Sequence, residues 1–188
     1  MIALIGKTAS GKDSIKKELI KLGMDSVVTT TTRPMRKGEV NGVSYHFVSD
    51  DEFFKMKDDG LLAESTYYDT VHGRWYYGSQ LKDLENHENK VIILNPSGIK
   101  EITNKVNMSK WVVFYIYCPE ETTRERLKHR GDNPKEVERR LEADNRDFMN
   151  IERFVDVNIL NDGSKSPEQI AATIKYLYER HIRQRWRE

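Results

Sequence analysis

The sequence predicts an α/β fold built on a parallel sheet with helices on both faces. Two observations predict it. Three short segments are apolar along their whole length, as strands buried on both faces must be, a fourth is apolar apart from Asp156 and Asn158, and stretches of helical spacing separate them. The first of these strands also runs straight into a turn bracketed by glycines and then into a helix start. Leu, Ile, Val and Phe make up about a quarter of the 188 residues, above the roughly 20% below which a chain usually fails to form a core, so a wholly disordered chain is excluded. Lys and Arg number 31 against 30 Asp and Glu, a formal charge of +1. No global field steers such a chain toward nucleic acid or an acidic membrane, and anion binding has to come from local clusters.

In chain order, residues 2–5, closed by Gly6, read as a buried strand. Residues 14–22 place Ile15, Leu19, Ile20 and Leu22 at helical spacing, with Gly23 as the stop. Residues 27–77 break the pattern. They are rich in Thr, Tyr and Phe and alternate over 43–48, which predicts an inserted antiparallel patch. Residues 91–94, 111–117 and 154–160 read as three more core strands, the second broken by Cys118-Pro119 and the third by Asn161-Asp162-Gly163. Cys118 is the one cysteine, so no internal disulfide forms, and a buried small hydrophobe is its expected role. The apolar run at 2–5 is too short for a signal-peptide core, and none approaches the ~18 residues of a membrane span. The expected location is the cytoplasm.

The turn after the first strand is Gly6-Lys7-Thr8-Ala9-Ser10-Gly11-Lys12-Asp13-Ser14, which fits G-x-x-x-x-G-K in both spacing and context. Its glycines let backbone N–H groups turn inward, the helix start adds about half a positive charge, and Lys12 adds a whole one. That is a cradle for the β- and γ-phosphates of a nucleotide. The residue after the lysine is usually Ser or Thr, whose hydroxyl holds Mg²⁺; here Asp13 stands there, followed by Ser14. A carboxylate is an equally good hard ligand, so Asp13 and Ser14 are the expected metal ligands.

Downstream, Thr29 to Thr32 lead into Arg33-Pro34-Met35-Arg36-Lys37-Gly38-Glu39, and the segment continues through Gly42, Tyr45, Phe47 and Val48. It closely resembles the GMP-binding segment of guanylate kinases, T-T-R-x-x-R-x-G-E-x-x-G-x-x-Y-x-F-V, and the resemblance extends over nearly the whole chain. It implies a three-layer P-loop NTPase fold with a parallel core sheet (1–29, 86–119 and 149–188), an inserted GMP-binding α+β patch (about 30–85) and a helical lid (about 120–148). It implies ATP as donor, GMP and possibly dGMP as acceptor, and Mg²⁺. Arg33, Arg36, Tyr45 and Tyr77 would hold the acceptor phosphate, with Glu39 in the same motif, and Thr29, Glu64, Ser79 and Asn95 would read guanine. Arg126, Arg130 and Arg140 would close with Lys12 on the transferring phosphoryl group, and Asn161 would seat adenine. The partners implied are small-molecule nucleotides, with no nucleic acid or membrane, for a monomer or homodimer.

The chain departs from the family at the strand after the patch, where Ile93 and Asn95 stand in place of D-x-D. The segment from Glu64 to Ser79 also looks about four residues longer than usual. With Asp13 and the Asn161-Asp162-Gly163-Ser164 turn, the strand change resembles ribose 1,5-bisphosphate phosphokinases, but the T-T-R-x-x-R-x-G-E segment is intact here. A guanylate-kinase-like interaction module is the other alternative, against which the retained Lys12 argues. Residues 119–147 hold 8 Lys and Arg beside 9 Asp and Glu, so the lid is no basic patch. His46, His72, His87, His129 and His181 show no metal-ligand spacing, and the basic tail 180–187 reads as a solvated helix end.

Overall fold

The computed structural model describes residues 1–70, 73–85 and 88–185. His72, His87 and the tail beyond Arg185 lie outside them. The chain divides into two compact units, Met1–Ser26 with Asn89–Pro96 and Lys110–Glu188, and Val27–Glu88 with Ser97–Ser109. Ser97–Ser109 therefore clusters with the second unit, not with the core where the sequence places it.

The first unit holds β1 (Ile2–Ile5), α1 (Lys12–Lys21) and β2 (Asp25–Ser26). In the second unit follow β3 (Thr30–Thr31), β4 (His46–Phe47), α2 (Asp50–Asp58), β5 (Leu62–Thr70), β6 (Gly73–Gln80) and α3 (Leu81–Glu85). Then come β7 (Lys90–Ile93), α4 (Pro96–Thr103), β8 (Val112–Tyr117), α5 (Glu120–His129), α6 (Pro134–Asp147), β9 (Val157–Leu160) and α7 (Pro167–Arg185). No helix among the described residues is long and apolar enough to cross a membrane.

The core sheet is parallel throughout, in the order β2-β7-β1-β8-β9. β1 is central, with Ala3 opposite Ile92 on one side and Val113 on the other. All four of its residues are fully buried, which is why they show no alternation. Ile15 and Leu19 of α1 and Ile170, Ala171 and Ile174 of α7 pack into the same core. The fourth strand starts later than its hydropathy suggests. Residues Ile151–Phe154 form a 3₁₀ turn, and pairing begins at Val157 opposite Phe114.

The second unit carries a four-stranded sheet, β4-β3-β6-β5. β3 and β5 run antiparallel to β6, but β3 and β4 are parallel, with Thr30 opposite His46, which corrects the expected all-antiparallel patch. A parallel pair needs a crossover, and the loop 32–45 supplies it, turning at Gly38 and Gly42. The alternation over 43–48 therefore yields only two strand residues. Gly42 N–H donates to Tyr45 O at 2.8 Å and Asn41 Oδ1 takes the Phe47 amide at 2.9 Å, while Val43 is left exposed. α2 starts at a capping box in which Ser49 and Glu52 satisfy each other's backbone amides, and it buries Phe53.

Candidate active site

The phosphate loop is shaped from outside by side chains of the same unit. Lys7 Nζ donates to Asn145 Oδ1 at 2.6 Å, and the Thr8 amide donates to Asp144 Oδ2 at 2.6 Å. Arg126 Nη1 donates to Ala9 O at 3.1 Å, and Asn161 Nδ2 donates to Ser10 O at 2.8 Å. Four consecutive loop residues are thus each held by one side chain. Arg126 and Asn161 are also bonded to each other through Arg126 Nη2 and Asn161 Oδ1 at 3.1 Å.

The loop's remaining donors have no such partners. The Ser10 amide is taken by Lys7 O. Among the described residues, the amides of Ala9, Gly11, Lys12, Asp13 and Ser14 meet no acceptor. Unpaired N–H groups at a helix start form an anion site. Gly11 sits at φ 92°, and a Cβ there would lie 2.5 Å from Asn161 Nδ2, so the turn admits only glycine. Lys12 Nζ lies within the loop, donating to Gly6 O at 2.6 Å, Lys7 O at 2.9 Å and Ser10 Oγ at 3.2 Å. Burial pushes its ammonium below the usual lysine range, with Asp13 and Asp144 opposing the shift.

Asp13 and Ser14 are exposed in the first turn of α1; among the described residues neither side chain has a hydrogen bond or close ion pair, and Lys12, Lys16 and Arg130 face Asp13 electrostatically. Two free hard oxygens beside a phosphate cradle fit Mg²⁺, whose other ligands are phosphate oxygens and water. No group of three or more acidic, His or Cys residues that would hold a metal by itself exists among the described residues.

The expected lid arginines are tied to acids. Asp132 accepts from both Arg130 and Arg140 (Arg140 Nη1 at 3.3 Å), so guanidiniums from the C-cap of α5 and from α6 converge on one carboxylate. Arg140 Nε also donates to Glu136 at 2.9 Å. Arg126 faces the phosphate loop instead.

In the second unit, Arg33 is 5% exposed and forms a two-pronged bond with Glu39, Nη2 to Oε1 at 2.7 Å and Nη1 to Oε2 at 3.1 Å. Glu39 Oε2 also takes the Arg36 amide at 2.7 Å. Its carboxylate therefore orients the Arg33 fork and ties down the Arg36 backbone, and Arg33 above all holds it below the usual carboxylate range. The Arg33 guanidinium stands 5.4 Å from the Tyr45 ring centre, and the Tyr77 hydroxyl faces it electrostatically. Tyr45 and Tyr77 meet edge to face at 6.1 Å. Arg33, Tyr45 and Tyr77 form one cluster, with the Arg36 side chain exposed beside it.

Glu64 lies opposite Ser79 in the β5–β6 ladder, and Ser79 Oγ donates to Glu64 Oε1 at 2.7 Å. A bulge between Leu62 and Glu64 breaks the alternation, so Leu62, Ala63 and Glu64 are all buried. Gly78 makes that approach possible, since a Cβ there would sit 2.9 Å from Glu64 O. At 6% exposure, burial pushes the Glu64 carboxyl up to about 7, the Glu101 carboxylate adding to the shift and Ser79 and Lys105 opposing it. Glu101 stands close by, accepting the Ser65 amide at 3.3 Å. Sequence patterns had no signal for Glu101, nor for the buried Gln80 Nε2 bond to Thr30 Oγ1 at 3.0 Å. Thr29 accepts the His46 amide through its carbonyl. Asn95 follows β7 at the edge of the first unit.

The family model described as Guanylate kinase matches residues 1–176. A guanylate kinase of Sulfurimonas denitrificans is 34% identical over 173 residues, covering 86% of this chain and 80% of the relative. One from Helicobacter pylori is 33% identical over 188 residues, covering 96% and 88%. The crystal structure of a guanylate kinase from Anaplasma phagocytophilum shares the fold at a TM-score of 0.70 and 23% identity, covering 97% of this chain and 85% of that one.

Glu64 makes stability depend on pH. Its carboxyl is raised from 4.5 to about 7 by folding, so the stability contributed by its protonated form is complete below pH 4.5 and is lost as pH rises through about 7. Glu64→Gln removes this loss. Denaturant titrations should show the variant gaining on the wild type between about pH 4.5 and 8, by at most about 3 kcal/mol. An offset that does not change with pH would mean that Glu64 titrates as an exposed carboxyl does.

Proposed function

The chain belongs to the guanylate kinase family, and from that premise we propose that it transfers the γ-phosphoryl group of ATP to GMP, giving ADP and GDP. The observation that carries the choice of acceptor is the buried Glu64–Ser79 pair. A carboxylate held in a low-dielectric site is costly unless donors meet it, and guanine offers two adjacent ones, N1–H and N2–H₂. Adenine offers an acceptor where guanine has N1–H, and cannot satisfy an ionised Glu64.

The acceptor phosphate suits the Arg33, Tyr45 and Tyr77 cluster. Glu39 pre-orients the Arg33 fork, so little side-chain freedom is lost on binding. On the donor side, the free amides and Lys12 take the β- and γ-phosphates. Neutralising the charge on the transferring group and holding it in line supply the catalysis, so no side-chain nucleophile is needed. Arg130 and Arg140 already converge on one anion, Asp132, and the phosphoryl group is an anion of the same kind. Mg²⁺ bound through Asp13 and Ser14 would supply further charge neutralisation at the β,γ-phosphates. Arg126 and Asn161 serve the loop's shape.

Acceptor choice is the test. A coupled assay across GMP, dGMP, AMP, UMP and ribose 1,5-bisphosphate should favour GMP over AMP by about 10⁴ or more in kcat/KM, as expected of a site built around specific hydrogen bonds. Glu64→Gln should narrow that gap, chiefly by losing GMP. Equal use of AMP and GMP by the unaltered protein would remove the guanine-reading role.

The metal assignment has its own outcome. Asp13→Ala should raise the Mg²⁺ concentration needed for half-maximal rate far more than it raises the KM for GMP. Unchanged Mg²⁺ dependence with only a lower melting temperature would make Asp13 a helix-start carboxylate, worth about 0.3–1 kcal/mol.

A further inference from the structure

Asp144 puts a carboxylate where a polyanion is to bind. It is half-buried on α6, its Oδ2 accepts the Thr8 amide at 2.6 Å, and Lys12 and Lys7 face it electrostatically. Beside it, Asn145 takes Lys7 Nζ at 2.6 Å. Two roles fit an acid in that position. It either stands in the place of a phosphate and has to leave when the nucleotide arrives, or holds the loop from outside while phosphates occupy the inside.

Hydrogen-bond bookkeeping favours the second role. The amides of Ala9 and of Gly11 through Ser14 meet no acceptor, and none of them is used by Asp144. Lys12 Nζ, the cation that a phosphate would seek, bonds to Gly6 O, Lys7 O and Ser10 Oγ and not to Asp144. Asp144 thus belongs with Asn145, Arg126 and Asn161, which also take loop groups other than the free amides. Ala9, the next residue, is held at φ 52°, a left-handed conformation that a residue with a Cβ adopts only under constraint. Thr8 on its one side is fixed by Asp144, and its own carbonyl by Arg126.

We propose that Asp144 is a positioning residue for ATP: by fixing Thr8 it holds Ala9 in its left-handed conformation and keeps the loop's free amides turned inward before the nucleotide arrives. This deepens the kinase reading and rests on it. The amount at stake is one hydrogen bond to a charged group, about tenfold in affinity.

Calorimetric titration of the wild type, Asp144→Ala and Asp144→Asn with ADP, and separately with GMP, tests it. Asp144→Ala should weaken ADP about tenfold and leave GMP within about twofold. Asp144→Asn keeps an oxygen for the Thr8 amide and should return ADP affinity to within about threefold of wild type. ADP binding by Asp144→Ala that is unchanged or tighter would overturn the proposal, the latter by showing an occupant that the nucleotide expels. So would equal weakening of ADP and GMP, which marks a general loss of fold, or an Asn variant no better than the Ala one. Wild-type protein that binds neither nucleotide would refute the kinase reading and the positioning role with it.

Discussion

The first unit depends on a division of labour around one short loop. Its outward-facing groups on Lys7, Thr8, Ala9 and Ser10 are each bonded to a side chain from α5, α6 or the turn after β9. Apart from the Ser10 amide, which Lys7 O takes, the amides of Ala9 and of Gly11 through Ser14 are left without acceptors among the described residues. Satisfying every donor would make the loop more stable and useless for binding an anion. Leaving every donor free would let it collapse onto its own carbonyls. With the outside held, the inside keeps its orientation, and the ordering cost of binding is met when the chain folds. The parallel sheet makes this possible, because β1, β8 and β9 end side by side and bring the loop, α5 and Asn161 to the C-terminal end of the sheet.

The second unit stores its specificity differently. Arg33 and Glu39 are a matched pair whose charges offset each other, so part of the cost of burying Arg33 is met. Glu64 has Ser79 as its hydrogen-bond partner and a second carboxylate, Glu101, nearby, with Lys105 opposing only weakly. Folding favours its neutral form, whereas two guanine donors favour the ionised form. Under the proposed function, the residue that would read the base is therefore one that the fold holds at some expense, as is common where function overrides stability.

Much of the core was legible because its causes are local. β1, β7 and β8 are continuous apolar runs, and the glycines, Lys12 and the helix start lie within nine residues of one another. The segment around Arg33 was legible as a motif, and its residues do meet. Strand direction was not legible in the inserted patch: alternation over 43–48 marks extended chain but does not say that His46 would run parallel to Thr30. The capping box at Ser49 and Glu52 was present in the sequence as S-x-x-E, and α2 follows from it. Asp144 carried no signal at all. It lies 136 residues from Thr8, among charges that read as a solvated helix face, and only the folded chain joins the two. For the same reason Arg126 and Asn161 look like ligand contacts in a motif, whereas the folded chain ties both to the loop backbone.

Amide hydrogen exchange of the phosphate loop, followed by NMR with and without saturating ADP and Mg²⁺, tests the central claim most directly. The amides of Thr8 and Ser10 should be protected in both states, because Asp144 and Lys7 O already hold them. Those of Ala9, Gly11, Lys12 and Asp13 should exchange fast in the free protein and become protected when nucleotide binds. Thr8 exchanging as fast as Gly11 in the free protein, or no gain in protection at the inward amides on binding, would contradict the account.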